Sequence, residues 1–531
     1  MKNVSYKKLL LPVSLVLFSL SFQLANGQWT VRESALKESS LKKVHQTDPH
    51  LVHVIPDKEW DQSNFASAED LEWFKNAKYG MFIHFGLSTF KNVDLSWGMI
   101  SDRVMPDVPA DGLYTKDVWS KFSESLRLEN FSKESFVQIL KETKVKYVVV
   151  VTKHHDGFHL WDTKYSDFKV TNTPYGKDFI REIVDACHEA EVKVGFYYSQ
   201  RDWYHPDYCP VDPATADRTV YPPYFKSKEG MEAKPGENHQ KYIDYQFDVI
   251  RELCTNYGKI DLFWLDAFYW NGMFTADMWD AEALTRMIRE LQPGTIINNR
   301  AGLPGDYDTP EGRIGMFQDT RPWESCLPLC NDWSYTPTPV KTPLEVFQKL
   351  QSTAIGDGNL LISWGMKWDG AWDESQKKSL LEVGKYLNKY DQSIFNTRGG
   401  IWLPATWGGT TFSQDKIYIH IISKPNSGKI SLLKRPDFVL SNSKVLTGQS
   451  VSLTETETAY VIDLSAVKSI REPLIIESTM LPTDINETTA TPASIVAYYN
   501  ILGQKLLQEP ASGIYIVMYS DGKSVKETKI E

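Results

Sequence analysis

The chain has 531 residues, 42% apolar and 24% charged, with a formal net charge of -10; this is longer than one hydrophobic core usually supports and too apolar for a disordered chain. No long Lys/Arg run occurs, so a nucleic-acid footprint is absent. Seventeen Trp and 26 Tyr supply flat amphipathic rings of the kind that face sugars and other half-apolar ligands, although most serve the core.

Residues 1–27 read as an export signal. Lys2, Lys7 and Lys8 precede an apolar run at 9–20, and Ala25 and Gly27 sit three and one positions before a cut ahead of Gln28. The run is short for a membrane span, and no later one is long enough. No Cys follows the cut, which argues against a lipid anchor. The expected destination is secreted or periplasmic, with the cell surface as a further possibility.

Residues 28–395 read as one catalytic domain. A polar leader to about residue 70, interrupted by Pro49 and Pro56, precedes apolar runs at 80–84, 147–152, 194–198, 261–266, 295–299, 313–318 and 359–363. Helix-period segments lie between them at 133–142, 177–190, 240–257, 276–291, 343–354 and 374–389. The alternation predicts βαβ units around a parallel sheet. Seven visible strands and no GxGxxG turn favour an α/β (β/α)8-like TIM barrel, with the eighth strand after Gly370 or in an irregular insertion. Residues 209–237, rich in Pro and charge, are expected to form a rim or lid. Beyond 395 the texture is all-β: 396–475 predicts a β-sandwich in which Trp407 packs, and 476–531 a linker followed by further strands.

Among the five cysteines, Cys187 and Cys254 lie in helical patterns and are expected to be buried thiols. Cys209, Cys326 and Cys330 fall in loop-like sequence that could hold a disulfide in an oxidising compartment.

The stretch Lys153-His154-His155-Asp156-Gly157-Phe158 follows the second apolar run. Alone it is as compatible with a capped turn and core histidines as with a site. Yet His84 ends the first run, Tyr197 and Tyr198 the third, Asp266 the fourth, Arg300 the fifth and Asp319 the sixth. In a barrel such ends converge on one mouth. A carboxylate at Asp266, kept ionised by a nearby cation, could attack an electrophilic carbon. Glu311 and Glu324 are the candidate proton donors. Two carboxyl groups flanking one bond are the apparatus of glycoside hydrolysis, about 5–5.5 Å apart in the retaining form. No metal and no cofactor are expected: a metal barrel wants His-x-His on the first strand, and only His84 stands there. Adjacent His154 and His155 on a strand end would also point to opposite sides. A non-catalytic sugar-binding protein is the rival class.

Several blocks together resemble glycoside hydrolase family 29, the retaining α-L-fucosidases. They are Tyr79-Gly80-Met81-Phe82-Ile83-His84-Phe85-Gly86, the Lys153 stretch with Leu160-Trp161, Gly195-Phe196-Tyr197-Tyr198-Ser199, Phe263-Trp264-Leu265-Asp266, Asn299-Arg300, Trp323-Glu324-Ser325-Cys326 and Gly358-Asn359-Leu360-Leu361. The resemblance covers about 71–395. It implies that Asp266 is the nucleophile and that His84, His154, His155, Tyr197, Trp264 and Arg300 bind the sugar. It also implies a fucosylated oligosaccharide or glycoprotein as the partner. Glu311 resembles the acid/base of one subgroup and is favoured; Glu324 matches the Trp-Glu block used in another. The chain departs from the family at Ala267, where Gly is common, and at Ser363-Trp364-Gly365. Trp364 and Trp368 are expected to narrow the mouth, which leaves an α-L-galactosidase as an alternative, since an apolar pocket rejects one added hydroxyl only about a hundredfold. The tail, with Tyr499-Asn500 followed by Gly513-Ile514-Tyr515 and Gly522-Lys523, resembles the sorting domain of the type IX secretion system of Bacteroidetes.

Overall fold

The computed structural model describes residues 64–101, 114–208, 226–227, 239–266 and 276–483, together with strands inside 495–529. The signal, most of the leader, Cys209, Ala267 and nearly all of the expected lid lie outside the described residues.

Seven parallel strands form one sheet: β1 (Tyr79–His84), β2 (Tyr147–Lys153), β3 (Lys193–Ser199), β4 (Leu262–Asp266), β5 (Ile296–Ile297), β6 (Glu324–Pro328) and β7 (Asn359–Gly365). Their order across the sheet is β5-β4-β3-β2-β1-β7-β6. The flanking helices include α1 (Ala68–Ala77), α2 (Lys133–Thr143), α3 (Phe179–Glu189), α4 (His239–Asn256), α5 (Ala281–Leu291), α6 (Pro343–Ile355) and α7 (Glu374–Tyr390). Their starts are written in sequence. Asp178 caps α3 by accepting from Arg181 N, and Thr342 with Glu345 makes a capping box behind Pro343 at the start of α6. In α3 the buried side chains Phe179, Ile180, Ile183, Val184 and Cys187 recur at helical spacing and form the face laid on the sheet.

Period-2 alternation divides each strand between two cores. Met81, Ile83, Val148, Val150, Phe196, Tyr198, Phe263, Leu265, Leu360 and Ile362 join the layer under the helices. Phe82, Tyr147, Val149, Tyr197, Leu262, Trp264, Tyr307, Cys326 and Leu361 fill the inside. Phe74 of α1 belongs to this inner cluster, with its ring 5.8 Å from Tyr147 and 4.7 Å from Tyr307. Because Tyr147 begins β2, α1 stoppers the N-terminal end of the barrel.

The expected strand at 313–318 is not one; the sixth strand is β6, which begins at Glu324. Residues 307–311 run parallel between β5 and β6, joined by the isolated bridges Asn298↔Tyr307, Asp308↔Trp323 and Glu311↔Cys326. Residues 312–322 are the return connection, and Gln318 N bonds Gly356 O just ahead of β7. Asp319 therefore lies at the end opposite the mouth. The sheet is barrel-like, with bridges rather than a regular ladder across this gap.

The described residues divide into two compact units, one within Met1–Leu433 and Asn442–Thr479, the other within Lys434–Ser441 and Met480–Glu531. In the first, Arg398–Gly399, Gly408–Ser413, Lys416–Ile421 and Leu474–Pro482 pair antiparallel in that order, and Ala459–Asp463 pairs with both Lys429–Leu433 and Ser452–Glu455. Trp407 is buried. In the second, Ile495–Asn500, Lys505–Leu506, Gly513–Tyr519 and Ser524–Lys529 form an antiparallel sheet. Cys187, Cys254, Cys326 and Cys330 are free buried thiols. Cys326 lies on β6 rather than in a loop, and it and Cys330 are not paired with each other.

Candidate active site

The inner positions at the C-terminal strand ends bring Asp266, Tyr197 and Trp264 together with Arg300. Asp266 is the last residue of β4 and is buried. Its Oδ2 accepts from the Tyr197 hydroxyl at 2.7 Å. Arg300 Nε lies 3.4 Å from Oδ1, and Arg201 Nη2 3.9 Å from Oδ2. Ion pairing of this kind offsets the desolvation of a buried charge.

Glu311 stands across Arg300 from Asp266. Both terminal nitrogens of Arg300 donate to Glu311 Oε2 at 2.6 Å. Burial works against the Arg300 charge, but the Glu311 and Asp266 carboxylates overcome it and raise its pKa above the ordinary value. The guanidinium carbon sits 4.8 Å over the Trp264 ring. The two carboxylates differ in access: the Glu311 side chain is 36% exposed and that of Asp266 11%.

Glu311 owes its place to backbone pairing. Cys326 N bonds Pro310 O and Gly312 N bonds Cys326 O, so β6 fixes the residue on both sides. Below it, Asp308 accepts from Asn299 Nδ2 at 3.1 Å and Arg321 Nε at 2.8 Å, while Asp306 accepts from Arg289 at 2.7 Å and Ile297 N at 2.7 Å. The acidic sequence of 306–311 thus divides into two structural anchors and one carboxylate at the mouth.

His84, His154 and His155 share one arrangement. Each places Nδ1 on a serine hydroxyl: His84 on Ser363 at 2.8 Å, His154 on Ser96 at 2.7 Å and His155 on Ser199 at 2.6 Å. Among the described residues, none of the three makes a protein hydrogen bond through Nε2. Burial lowers the His84 pKa to about 3. It also lowers His154 and His155 well below the usual range, helped by the Arg201 cation. The expectation that His154 and His155 point apart is overturned. β2 ends at Lys153, both histidines lie in the turn beyond it, and their ring centroids are 3.9 Å apart. Strand alternation does not apply there.

The rest of that stretch is structural. Lys153 Nζ, fully buried, pairs with Asp202 at 3.1 Å. Asp156 accepts from Trp119 Nε1 at 2.9 Å. Gly157, at φ 77°, passes so close to Asp202 that a Cβ would stand 2.4 Å from its carboxylate.

Glu324 lies deeper. It is fully buried, accepts from Trp264 Nε1 at 3.1 Å and from the Tyr147 hydroxyl, and burial raises its pKa to about 7. Trp364 does not narrow the mouth. The register of β7 turns it outward into the layer under the helices, where its ring lies 4.0 Å from Trp372. Trp368 packs beside Phe90.

Sequence reasoning missed Arg201, Ser96, Trp97, Trp203 and Trp333. Trp97 and Trp203 lie edge-on to His155 at 5.5 and 5.1 Å, and Trp333 is 5.7 Å from His84. Only Arg201 and Trp203 had a signal, since they follow the end of a strand directly.

Paired carboxylates of unequal exposure at the C-terminal mouth of a parallel barrel-like sheet define a glycoside hydrolase. The Alpha-L-fucosidase family model matches residues 52–392. An alpha-L-fucosidase of Dictyostelium discoideum is 22% identical over 475 residues, covering 83% of this chain and 93% of the relative. Alpha-L-fucosidase isoenzyme 1 from Paenibacillus thiaminolyticus superposes with a TM-score of 0.66 at 30% identity, over 78% of this chain and 99% of its own. A GH29 alpha-L-fucosidase from Bacteroides thetaiotaomicron, solved as a trapped covalent intermediate with 2-fluoro-fucosyl fluoride, shares the fold at 24% identity and TM-score 0.66, over 79% and 98%. The chain belongs to the alpha-L-fucosidase family, GH29.

Proposed function

We propose that the protein is an exo-acting retaining α-L-fucosidase that removes terminal α-L-fucosyl residues from oligosaccharides or glycoproteins, with Asp266 as nucleophile and Glu311 as acid/base. The observation that carries this reading is the Arg300 guanidinium shared between a buried and a half-exposed carboxylate. In the first step an Asp266 oxygen bonds to the anomeric carbon, the glycosidic C–O bond breaks, and the departing oxygen takes a proton from Glu311. In the second, Glu311 takes a proton from water as the water oxygen displaces Asp266. For Glu311 to carry a proton, its bond to Arg300 has to open when the sugar arrives, while Arg300 stays on Asp266. His84, His154 and His155 offer Nε2 to sugar hydroxyls, and Tyr197 and Trp264 complete the walls. The decisive test is turnover of nitrophenyl α-L-fucoside, nitrophenyl α-L-galactoside and fucosylated oligosaccharides by wild type and Asp266→Asn. Inactivity of the wild type on all of them sinks the assignment, and a preference for the galactoside would shift it to that sugar.

Residues 1–27 are proposed to direct export. Residues 476–531, which carry the four-stranded sheet, are proposed to act as a type IX sorting domain that delivers the enzyme to the cell surface or medium. Deleting them in the native host should leave active enzyme in the periplasm; unchanged export would refute the role.

A further inference from the structure

We propose that Glu324 is a positioning residue for the reaction, anchoring the Trp264 indole on which both Tyr197 and Arg300, the partners of Asp266, rest. The inference depends on Asp266 being the nucleophile, as read above.

The contacts form a column along the inside of the barrel. Glu324 Oε1 accepts from Trp264 Nε1 at 3.1 Å, and the other oxygen accepts from the Tyr147 hydroxyl. Above this anchor, Trp264 stacks on Tyr197 with ring centroids 5.5 Å apart and planes 26° from parallel. Arg300 lies 4.8 Å over the same ring. Phe82 closes another side at 5.3 Å. Tyr197 and Arg300 then hold Asp266 at 2.7 and 3.4 Å. Rotating the indole would move both groups that orient the nucleophile.

The chemistry of the pocket fits anchoring and does not fit proton delivery. Glu324 is fully buried one layer below the mouth, whereas Glu311 is half-exposed beside Asp266. Among the described residues no cation pairs with Glu324. The titratable groups around it are Tyr147, Tyr307 and Cys326, all held neutral by burial. A carboxyl group in such a place accepts from Trp264 through one oxygen and from the Tyr147 hydroxyl through the other. A glutamine keeps an acceptor for Trp264 and meets the Tyr147 oxygen with an N–H, so that contact survives with its direction reversed; a leucine leaves the buried indole N–H and the phenol O–H without this acceptor.

The test compares Glu324→Gln with Glu324→Leu in the full-length protein, using a fucosylated oligosaccharide and nitrophenyl α-L-fucoside. Competent sites are counted by stoichiometric trapping with 2-fluoro-fucosyl fluoride, which separates misfolding from misplacement. Glu324→Gln should keep kcat within about threefold of wild type and ignore added azide. Glu324→Leu should lose kcat per trapped site on the order of a hundredfold, the scale of a nucleophile displaced by about an ångström. Three results would overturn the proposal: a deep loss in Glu324→Gln that azide restores, which would make Glu324 the acid/base; an unchanged kcat per site in Glu324→Leu, which would leave only a structural role; or equal losses in both variants. A wild type that turns over no fucoside removes the parent reading along with this one.

Discussion

Five histidines are buried in the described chain, and their ring nitrogens sort them by region. At the mouth, His84, His154 and His155 each spend one nitrogen on a serine. Away from it, His159 uses both, Nδ1 on Phe168 O at 3.1 Å and Nε2 on the Tyr245 hydroxyl at 2.6 Å. His420 likewise bonds Gln351 at 3.1 Å and Thr411 at 2.8 Å. All five are held neutral chiefly by burial. Burial and charge state therefore do not separate the mouth histidines from the core ones; an unspent nitrogen does. The carboxylates repeat the lesson: Asp266 and Glu311 face cations, Glu324 faces neutral donors, and the partner decides the role.

The largest effects should come from the cationic side of this division. Asp266→Asn should lower kcat by about 10^4-fold or more, measured on nitrophenyl α-L-fucoside. Retained turnover would place the nucleophile elsewhere. Glu311→Ala should lose about 10^2- to 10^4-fold on natural glycans. Added azide should restore turnover of the activated fucoside and yield a fucosyl azide. Rescue in a Glu324 variant alone would reverse the two glutamates.

The histidine division is broken or sharpened by two matched variants. His155→Phe should cut kcat/KM roughly ten- to a hundredfold, the scale of a lost hydrogen bond, with little change in melting temperature. His159→Phe should do the opposite: kcat/KM within about twofold, but stability lower by about 1–3 kcal/mol because the Tyr245 hydroxyl loses its partner. Similar profiles for the pair would erase the distinction.

Acid should expose the cost of keeping the histidines neutral. His84, His159 and His420 have folded pKa values near 3, below the unfolded value of about 6.5. Their contribution is full above that value and is lost as pH falls from about 6.5 toward 3. Urea unfolding at pH 7 and 4.5 should show the loss, reduced in His159→Phe. The smallest effect belongs to Glu324, whose folded pKa is raised by burial to about 7. Its contribution is present below the unfolded carboxyl value and lost as pH rises through about 7. The melting temperature of Glu324→Gln relative to wild type should therefore climb by a few degrees between pH 5 and 8.

Much of the barrel was legible because its elements are locally encoded. Residues 133–142 and 343–354 carry helical periodicity and caps, and their helices end within a residue or two of those bounds. The strand-end positions of Asp266 and His84 were legible because each closes an apolar run. What was hidden depends on register or on distant partners. Trp364 was assigned to the mouth because a run of apolar residues does not reveal which of its two faces is inside. The strand expected at 313–318 failed because 307–311, which does lie between β5 and β6, is polar and held by isolated bridges. Ser96 meets His154 across 58 residues of sequence, and no local pattern announces that.

The helix Ala68–Ala77, with Phe74 wedged against Tyr147 and Tyr307, turns the barrel into a blind alley. Sugar, departing group, attacking water and product all use the end where Glu311 is exposed.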